Sequence, residues 1–308
     1  MKKYYLIIPI LFFFVNIALC QQQATYAQYM FNGLAINPAY AGSHEVLDAT
    51  TLFRFQSVGV PGAPNTQTFA AHSPLLNENI ALGMLLVHDK IGVIDQLGLN
   101  LIYAYRLHLS KVKKNPKILS FGLQGGFSSY SARYSDLAVY NVNDPVFSQD
   151  IKESRPNFGV GIYYYTNVFY AGFSVPQLIN NVFDRGKDFQ TIVQPNPFIL
   201  TVGYVYTVTR FMKFKPNCLI KFVSQKPVEI DINGNISFDD VLWFGASYKI
   251  NTNLDVLTEI QVTNQIRVGY CYSVTTSSIR QVDLGSHEFM INYKFRYPSS
   301  GVLTPRHF

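Results

Sequence analysis

Six histidines are the side chains of this sequence best suited to catalysis or metal binding, at positions 44, 72, 88, 108, 287 and 307. None belongs to an HExxH or HxxEH arrangement, and the chain has no CxxC or GxSxG motif. Asp89 follows His88, but adjacent strand residues point to opposite faces, so we expect this pair at a hairpin rim. The sequence predicts no enzyme, no catalytic residue, no cofactor and no metal site. The alternative is a hydrolase whose serine and histidine meet only in the folded chain.

Oxygen ligands that could bind calcium are concentrated between residues 131 and 155. They are Asn141, Asn143, Asp144 and Asp150. Known calcium loops place such ligands at fixed spacing around a glycine turn, which is missing here. Asn and Asp also stabilise turns, so a solvated loop is favoured, and calcium binding by this loop stays open.

The composition is poor in charge and rich in aromatic residues. Of the 308 residues, 14% are charged, 15% are aromatic and 48% are apolar, and the net charge is +6. Soluble domains carry about 25% charged residues. The mean hydropathy of +0.09 is too low for a bundle of lipid-buried helices. No basic cluster with interleaved aromatics suggests a nucleic-acid partner.

The first twenty residues are predicted to be a signal peptide. Lys2 and Lys3 precede an apolar stretch from residue 6 to 15, and residues 18–20 form a plausible cleavage site. A membrane anchor is the alternative, but the stretch is short and contains Pro9. A lipoprotein with a lipidated Cys20 is a further alternative, disfavoured by the bulky Leu19 before it.

Beyond residue 46 the chain repeats a strict alternation of apolar with small or polar residues. The clearest example runs from Leu97 to Leu109, where every odd position is Leu or Tyr. We count about fourteen such segments, and several are long enough to cross a bilayer. The sequence therefore predicts an all-β fold, a transmembrane antiparallel barrel over residues 47–308 located in the outer membrane. The three longest connections, 131–155, 176–196 and 275–285, are expected on the outside, with both termini periplasmic.

Strand parity predicts which charged side chains face the barrel interior. A lysine or arginine facing lipid at the midplane would cost about 2–4 kcal/mol, so parity is strongly enforced. We interpret the inward charges as an interior network, the alternative being a lumen that binds a peptide or passes a solute. The same parity turns Cys218 outward and Cys271 inward, so no disulfide is expected between them. The predicted lumen charges are Arg106, Lys213, Lys215, Lys221, Glu229, Asp231, Asp255, Glu259, Arg267, Glu288, Lys294 and Arg296.

Residues 21–46 have a different pattern and are expected to plug the barrel or to lie beneath it. Tyr26, Tyr29, Met30 and Leu34 have the spacing of a short helix, which the Asn-Pro pair at 37–38 would end. A disordered leader is the alternative. The residues that we expect to contact the barrel or a partner are Tyr29, Met30, Asn32, Asn37, Pro38 and Tyr40.

An ordered set of motifs resembles the PorP/SprF family of outer-membrane proteins. The set begins with QYMFNGLAINPAYAGS at residues 28–43 and FRFQ with GAP at 53–56 and 62–64. It continues with HDKIG at 88–92, NDP at 143–145, PNFGVG at 156–161 and YAGFSVPQL at 170–178. Each motif is weak alone, but their order spans nearly the whole chain after the signal peptide.

The resemblance implies a role in type IX secretion and gliding motility. The implied partners are outer-membrane lipid, a secreted or surface-anchored adhesin or its C-terminal domain, and periplasmic ring components of the machinery. The resemblance does not separate adhesin export or anchoring from work with the ring. A general diffusion channel is the alternative function.

Overall fold

The computed structural model describes residues 26–75, 78–110, 116–136, 150–179, 181–183, 192–194, 196–224, 226–276 and 283–295. The predicted signal peptide, the calcium candidates Asn141, Asn143 and Asp144, and the predicted lumen charge Arg296 lie outside these residues. Within the described residues, no helix is long and apolar enough to cross a membrane.

The described chain is built almost entirely from β-strands. In chain order they are β1 (Leu47–Phe55), β2 (Asn65–Pro74), β3 (Ile80–Ile91), β4 (Ile94–His108), β5 (Ile118–Ala132), β6 (Ile151–Tyr165), β7 (Phe169–Val175), β8 (Asn181–Phe183), β9 (Ile192–Gln194), β10 (Pro197–Tyr204), β11 (Tyr206–Thr207), β12 (Met212–Val223), β13 (Glu229–Phe238), β14 (Leu242–Lys249), β15 (Asn253–Gln261), β16 (Ile266–Thr275) and β17 (Ser286–Phe295).

Fourteen of these strands close into one antiparallel barrel. β1 to β7 pair in sequence, β7 pairs with β10, β10 with β12, and β12 to β17 pair in sequence. The first and last strands complete the ring, since Leu47 lies opposite Phe295 and Phe55 opposite His287. The pair β8–β9 forms a separate small hairpin, and β11 adds two residues beside β12. The predicted fourteen-stranded barrel is confirmed.

Alternating side chains divide the barrel wall into an apolar outside and a packed inside. On β4, 63% of the Leu101 side chain is exposed, whereas only 2% of its neighbour Ile102 is. Leu123, Phe127 and Val256 are similarly exposed on other strands. A continuous belt of exposed apolar side chains is unfavourable in water and is what the lipid-facing surface of a membrane barrel requires.

The strands of the barrel wall extend further at one end of the barrel than at the other. We call the end where β1 begins and β17 ends the terminal end, and the opposite one the loop end. At the loop end, β5 continues to Ala132 and pairs there with Ile151 at the start of β6. A small cluster of Tyr130, Ala132 and Tyr134 stabilises this extension. The outward-facing residues there are polar, such as Ser154. The pairing of β5 with β6 therefore continues beyond the apolar belt, and we call this extension the raised part of β5 and β6.

The chain before β1 forms three single turns rather than one helix. They are 3-10 turns at Tyr29–Phe31, Gly33–Ala35 and Pro38–Tyr40. The Asn37 side chain caps the third turn by accepting a hydrogen bond from the Ala39 amide at 2.9 Å. The helical spacing of the aromatic residues is therefore realised as separate turns, which Gly33 and Pro38 keep short.

Candidate functional site

Residues 26–46, which we call the interior segment, lie against the inner faces of strands all around the barrel. Hydrogen bonds join the segment to β17 on one side and to β6, β7 and β12 on the other. Its aromatic residues Tyr26, Tyr29, Phe31 and Tyr40 are buried. A segment that contacts opposite walls in this way occupies the barrel interior.

The beginning of the segment is held by the carboxylate of Glu288 on β17. The backbone amides of Ala27 and Gln28 donate to its two oxygens at 3.0 and 2.8 Å. Arg54 of β1 donates to the same carboxylate at 2.9 Å, and both members of this ion pair are buried. The Gln28 side chain also donates to the Glu288 carbonyl at 3.2 Å. Charge-assisted hydrogen bonds of this kind are stronger than neutral ones.

The middle of the segment packs on β12. The Tyr29 hydroxyl donates to Asn217 at 2.9 Å. The fully buried Lys215 donates to the Met30 carbonyl at 3.4 Å, and its ammonium lies 5.1 Å from the centroid of the Phe31 ring. Phe31 in turn meets the buried Trp243 edge to face, with ring centroids 6.1 Å apart. Lys215 is therefore accommodated by a carbonyl and an aromatic face.

The third turn of the segment rests on strand glycines. A Cβ atom on Gly122 of β5 would overlap the Pro38–Ala39 peptide, and one on Gly161 of β6 would overlap the Asn37 amide. Glycine in a strand interior is unfavourable in itself and often marks close approach of another backbone. Here the absent side chains make room for the turn, and we call this pair of glycines the glycine cradle.

Polar groups fix the segment in the glycine cradle. Asn37 donates from Nδ2 to the Ile162 carbonyl at 3.0 Å, and Ser174 of β7 donates to the Ile36 carbonyl at 2.6 Å. Gly161 belongs to the PNFGVG motif, Ser174 to the YAGFSVPQL motif and Asn37 to the first motif. The first motif therefore meets two motifs more than a hundred residues later at one contact inside the barrel.

The six segment residues singled out from the sequence are all buried. Tyr29, Met30, Asn37 and Pro38 make the contacts described above. Tyr40 packs edge to face against Tyr163 at a ring distance of 5.5 Å. Asn32 precedes the second turn and makes no side-chain cap there.

The predicted lumen charges within the described residues are buried or half-buried, and most are paired. Lys213 meets Asp240 at 2.6 Å, Lys221 meets Glu229 at 3.5 Å and Arg267 meets Glu259 at 3.6 Å. Asp231 accepts a hydrogen bond from Ser247, and Asp255 of β15 is also buried. Lys294 lies 4.0 Å from Asp48, and Arg106 lies 4.0 Å from Glu45. Among these, Glu288, Lys215 and Arg106 touch the interior segment.

A cavity of about 210 Å³ lies between the interior segment and the loop end. Tyr26, Tyr29 and Ile36 of the segment contribute to its lining. The wall supplies acids, lysines and amides, including Asp89, Gln96, Asn100, Lys221, Asp231 and Lys249. Apolar wall residues such as Leu85 and Leu219 also line it, so the cavity is a mixed recess at the loop end.

The remaining candidates from the sequence are bonded to the barrel wall and its loops. His88 meets Asp95 at 3.1 Å across the β3–β4 hairpin, whereas Asp89 is buried and accepts from Thr66 at 2.6 Å. Asp150 accepts from the Ser135 amide and hydroxyl at 3.0 and 3.1 Å. The amide hydrogen bond from Ser135 lowers the pKa of Asp150, and both carboxylate oxygens already accept from the chain.

Sequence motifs did not indicate one further cluster of polar residues. His44 of the interior segment, Asp48 of β1 and His72 of β2 bring their side chains together near the terminal end. Burial lowers the pKa of His44 to about 3, so its ring is neutral. The four-residue spacing of His44 and Asp48 is the sequence signal that could have suggested a contact. His72 reaches the cluster because β2 pairs with β1.

Comparison with protein-family models assigns the family. The model of the type IX secretion system membrane protein PorP/SprF matches residues 18–293. No curated protein matches the chain.

Solved outer-membrane proteins resemble the chain only distantly. Omp33 of Acinetobacter baumannii is 9% identical, with 82% of this chain and 98% of that one covered and a TM-score of 0.46. A Pseudomonas aeruginosa FadL homologue is 11% identical, with 85% and 94% covered and a TM-score of 0.46. Because the family model covers nearly the whole barrel and the motifs that hold the interior segment, the chain belongs to the PorP/SprF family of type IX secretion membrane proteins.

Proposed function

We propose that this protein is an outer-membrane component of the type IX secretion and gliding machinery that binds a secreted or surface-anchored protein, with the interior segment acting as a plug. The observation that carries the proposal is the interior segment itself. Its turns are bonded to opposite walls, and strand glycines make room for it. A barrel whose wall is shaped around its own chain is better suited to docking proteins than to passing solutes.

The loop end is the surface that we assign to the secreted partner. Outer-membrane barrels place short turns in the periplasm and longer loops outside, and the termini lie on the periplasmic side. Turns such as 166–168 and 239–241 lie at the terminal end, and the longer connections 133–150 and 176–196 lie at the loop end. The raised part of β5 and β6 and the recess beside it would then face the cell surface.

The terminal end would face the periplasm and the ring components of the machinery. The proposed function is protein binding, which requires no catalytic group. The general diffusion channel is the competing function, and it requires that the interior segment leave an open path.

Purification from native membranes in a mild detergent, followed by mass spectrometry, tests the proposal. We expect one large exported surface protein, or ring components, to co-purify with the wild-type chain. The Arg155→Glu variant on the raised part of β6 should reduce recovery of the exported partner, whereas Leu101→Ala in the lipid-facing belt should not. Recovery of neither class of protein, with motility and surface adhesins unchanged in a deletion strain, would contradict the proposal.

A further inference from the structure

We propose that His44, Asp48 and His72 form a binding site for a borderline divalent transition-metal ion, with Zn²⁺ as the best match. One ligand atom from each residue lies within 4.8 Å of the others. Two imidazoles and one carboxylate are a donor set that zinc uses in proteins. The inference goes beyond the proposed function, because it does not depend on which partner the barrel binds.

The closest contact in the cluster joins His44 to Asp48. His44 Nδ1 lies 2.8 Å from Asp48 Oδ2, a distance at which a protonated Nδ1 donates a hydrogen bond to the carboxylate. Two ligand atoms about 2.0–2.2 Å from a tetrahedral zinc ion lie about 3.3–3.6 Å apart, so this pair would open slightly on metal binding. The ion would take the place of the Nδ1 proton, which metal binding releases.

Neighbouring groups already orient the carboxylate. Asn292 of β17 donates to Asp48 Oδ1 at 2.7 Å, and Thr50 donates to the same oxygen at 3.2 Å. The other oxygen, Oδ2, faces His44 and Lys294. The Tyr40 hydroxyl lies 3.3 Å from His44 Nε2, where it can accept the proton of a ring that binds metal through Nδ1. Such outer contacts fix ligand orientation in metal sites.

Two features of the cluster change when the ion binds. The Gly42 amide donates to His72 Nδ1 at 3.1 Å, so this nitrogen has an unprotonated lone pair that the metal would take in place of the amide. Lys294 lies 4.0 Å from Asp48 Oδ2 and is the cation that now faces it. Its side chain is 23% exposed, so it can turn toward the terminal end as the ion enters.

The bound ion would fasten the end of the interior segment to the wall. His44 belongs to the segment, Asp48 to β1 and His72 to β2, so one ion would join three parts of the chain. This fastening is at the opposite end of the segment from the Glu288 contact.

Titration of the untagged, full-length barrel with Co²⁺ and Zn²⁺ after chelator treatment tests the site. We expect one equivalent of Co²⁺ with the visible absorption of a nitrogen- and oxygen-ligated ion, displaced by Zn²⁺. His72→Ala and Asp48→Asn should abolish the absorption, whereas His88→Ala, which removes a histidine paired with Asp95 elsewhere, should leave it unchanged.

Two further variants keep the test decisive if a ligand variant fails to fold. Asn292→Ala should weaken Zn²⁺ binding about 10- to 100-fold, as loss of an outer contact does in other zinc sites. Lys294→Met should strengthen it, because it removes a competing positive charge. The proposal is overturned if the wild-type chain binds no stoichiometric metal, or if these variants bind as the wild type does.

Discussion

Replacing Glu288 by alanine should release the beginning of the interior segment from the barrel wall. The substitution removes the acceptor of the Ala27 and Gln28 amides and leaves Arg54 buried without its partner. Breaking a buried ion pair on one side costs about 3–5 kcal/mol. Part of this cost is relieved if water enters as the segment leaves, so we expect the released state to rise about 100-fold in population.

Cys271 provides the measurement. It lies opposite Glu288 on the neighbouring strand, is fully buried, and packs in one cluster with Tyr26 and Ala27. In a Cys218→Ser background, a hydrophilic maleimide should label Cys271 slowly in the wild type and much faster in Glu288→Ala. Glu288→Gln, which keeps one acceptor, should be intermediate.

Glu229→Ala is the matched control for this measurement. Glu229 of β13 pairs with Lys221 at 3.5 Å, four strands around the barrel from β17 and Glu288. Its removal should leave the Cys271 labelling rate unchanged. Equal labelling rates in Glu288→Ala and the wild type would show that the carboxylate does not hold the segment.

Placing a side chain in the glycine cradle should expel the third turn of the segment. In Gly161→Val the new Cβ would overlap the Asn37 amide and stand 3.1 Å from Pro38 Cδ. Overpacking of a well-packed site costs about 1–3 kcal/mol, and the loss of the hydrogen bond from Asn37 to Ile162 adds to this. The wall itself should tolerate valine, which favours strands. We therefore expect a folded barrel with a displaced segment.

Gly98→Val on β4 is the control for the cradle, because the nearest atom to its added Cβ is 3.9 Å away. Limited proteolysis in detergent measures the displacement through cleavage within residues 26–46. Gly161→Val should be cleaved there rapidly, and Gly98→Val should resist as the wild type does. If both variants resist cleavage equally, the glycine cradle is not needed to hold the interior segment.

The barrel was predictable because its lipid-facing side imposes a pattern that each strand carries locally. The alternation from Leu97 to Leu109 is observed as strand β4, Ile94–His108. The predicted connection 131–155 is too long, because β5 continues to Ala132 and β6 begins at Ile151, where hydrogen bonding extends beyond the apolar belt. Strand pairing beyond the lipid has no apolar signature, and neither has the small β8–β9 hairpin within the connection 176–196.

The contacts inside the barrel were less predictable, because they join residues far apart in sequence. Parity placed Glu288 inward, but its contact with Gln28 spans 260 positions. Nothing in the sequence around Gly161 indicates that a turn of the interior segment packs on it. The cluster of His44, Asp48 and His72 escaped motif analysis because one ligand belongs to the segment and the others to paired strands. The local spacing of apolar and polar residues predicts strands and turns, whereas these contacts form only when the barrel closes.

The conductance of single barrels in planar lipid bilayers tests most directly whether the interior segment closes the lumen. The wild-type chain should insert and give no lasting conductance, whereas a chain lacking residues 21–43 should give steady, stepwise openings. Both proteins should show the heat-dependent gel shift of folded barrels. A wild-type barrel that conducts as steadily as the shortened one would contradict the account and favour a diffusion channel.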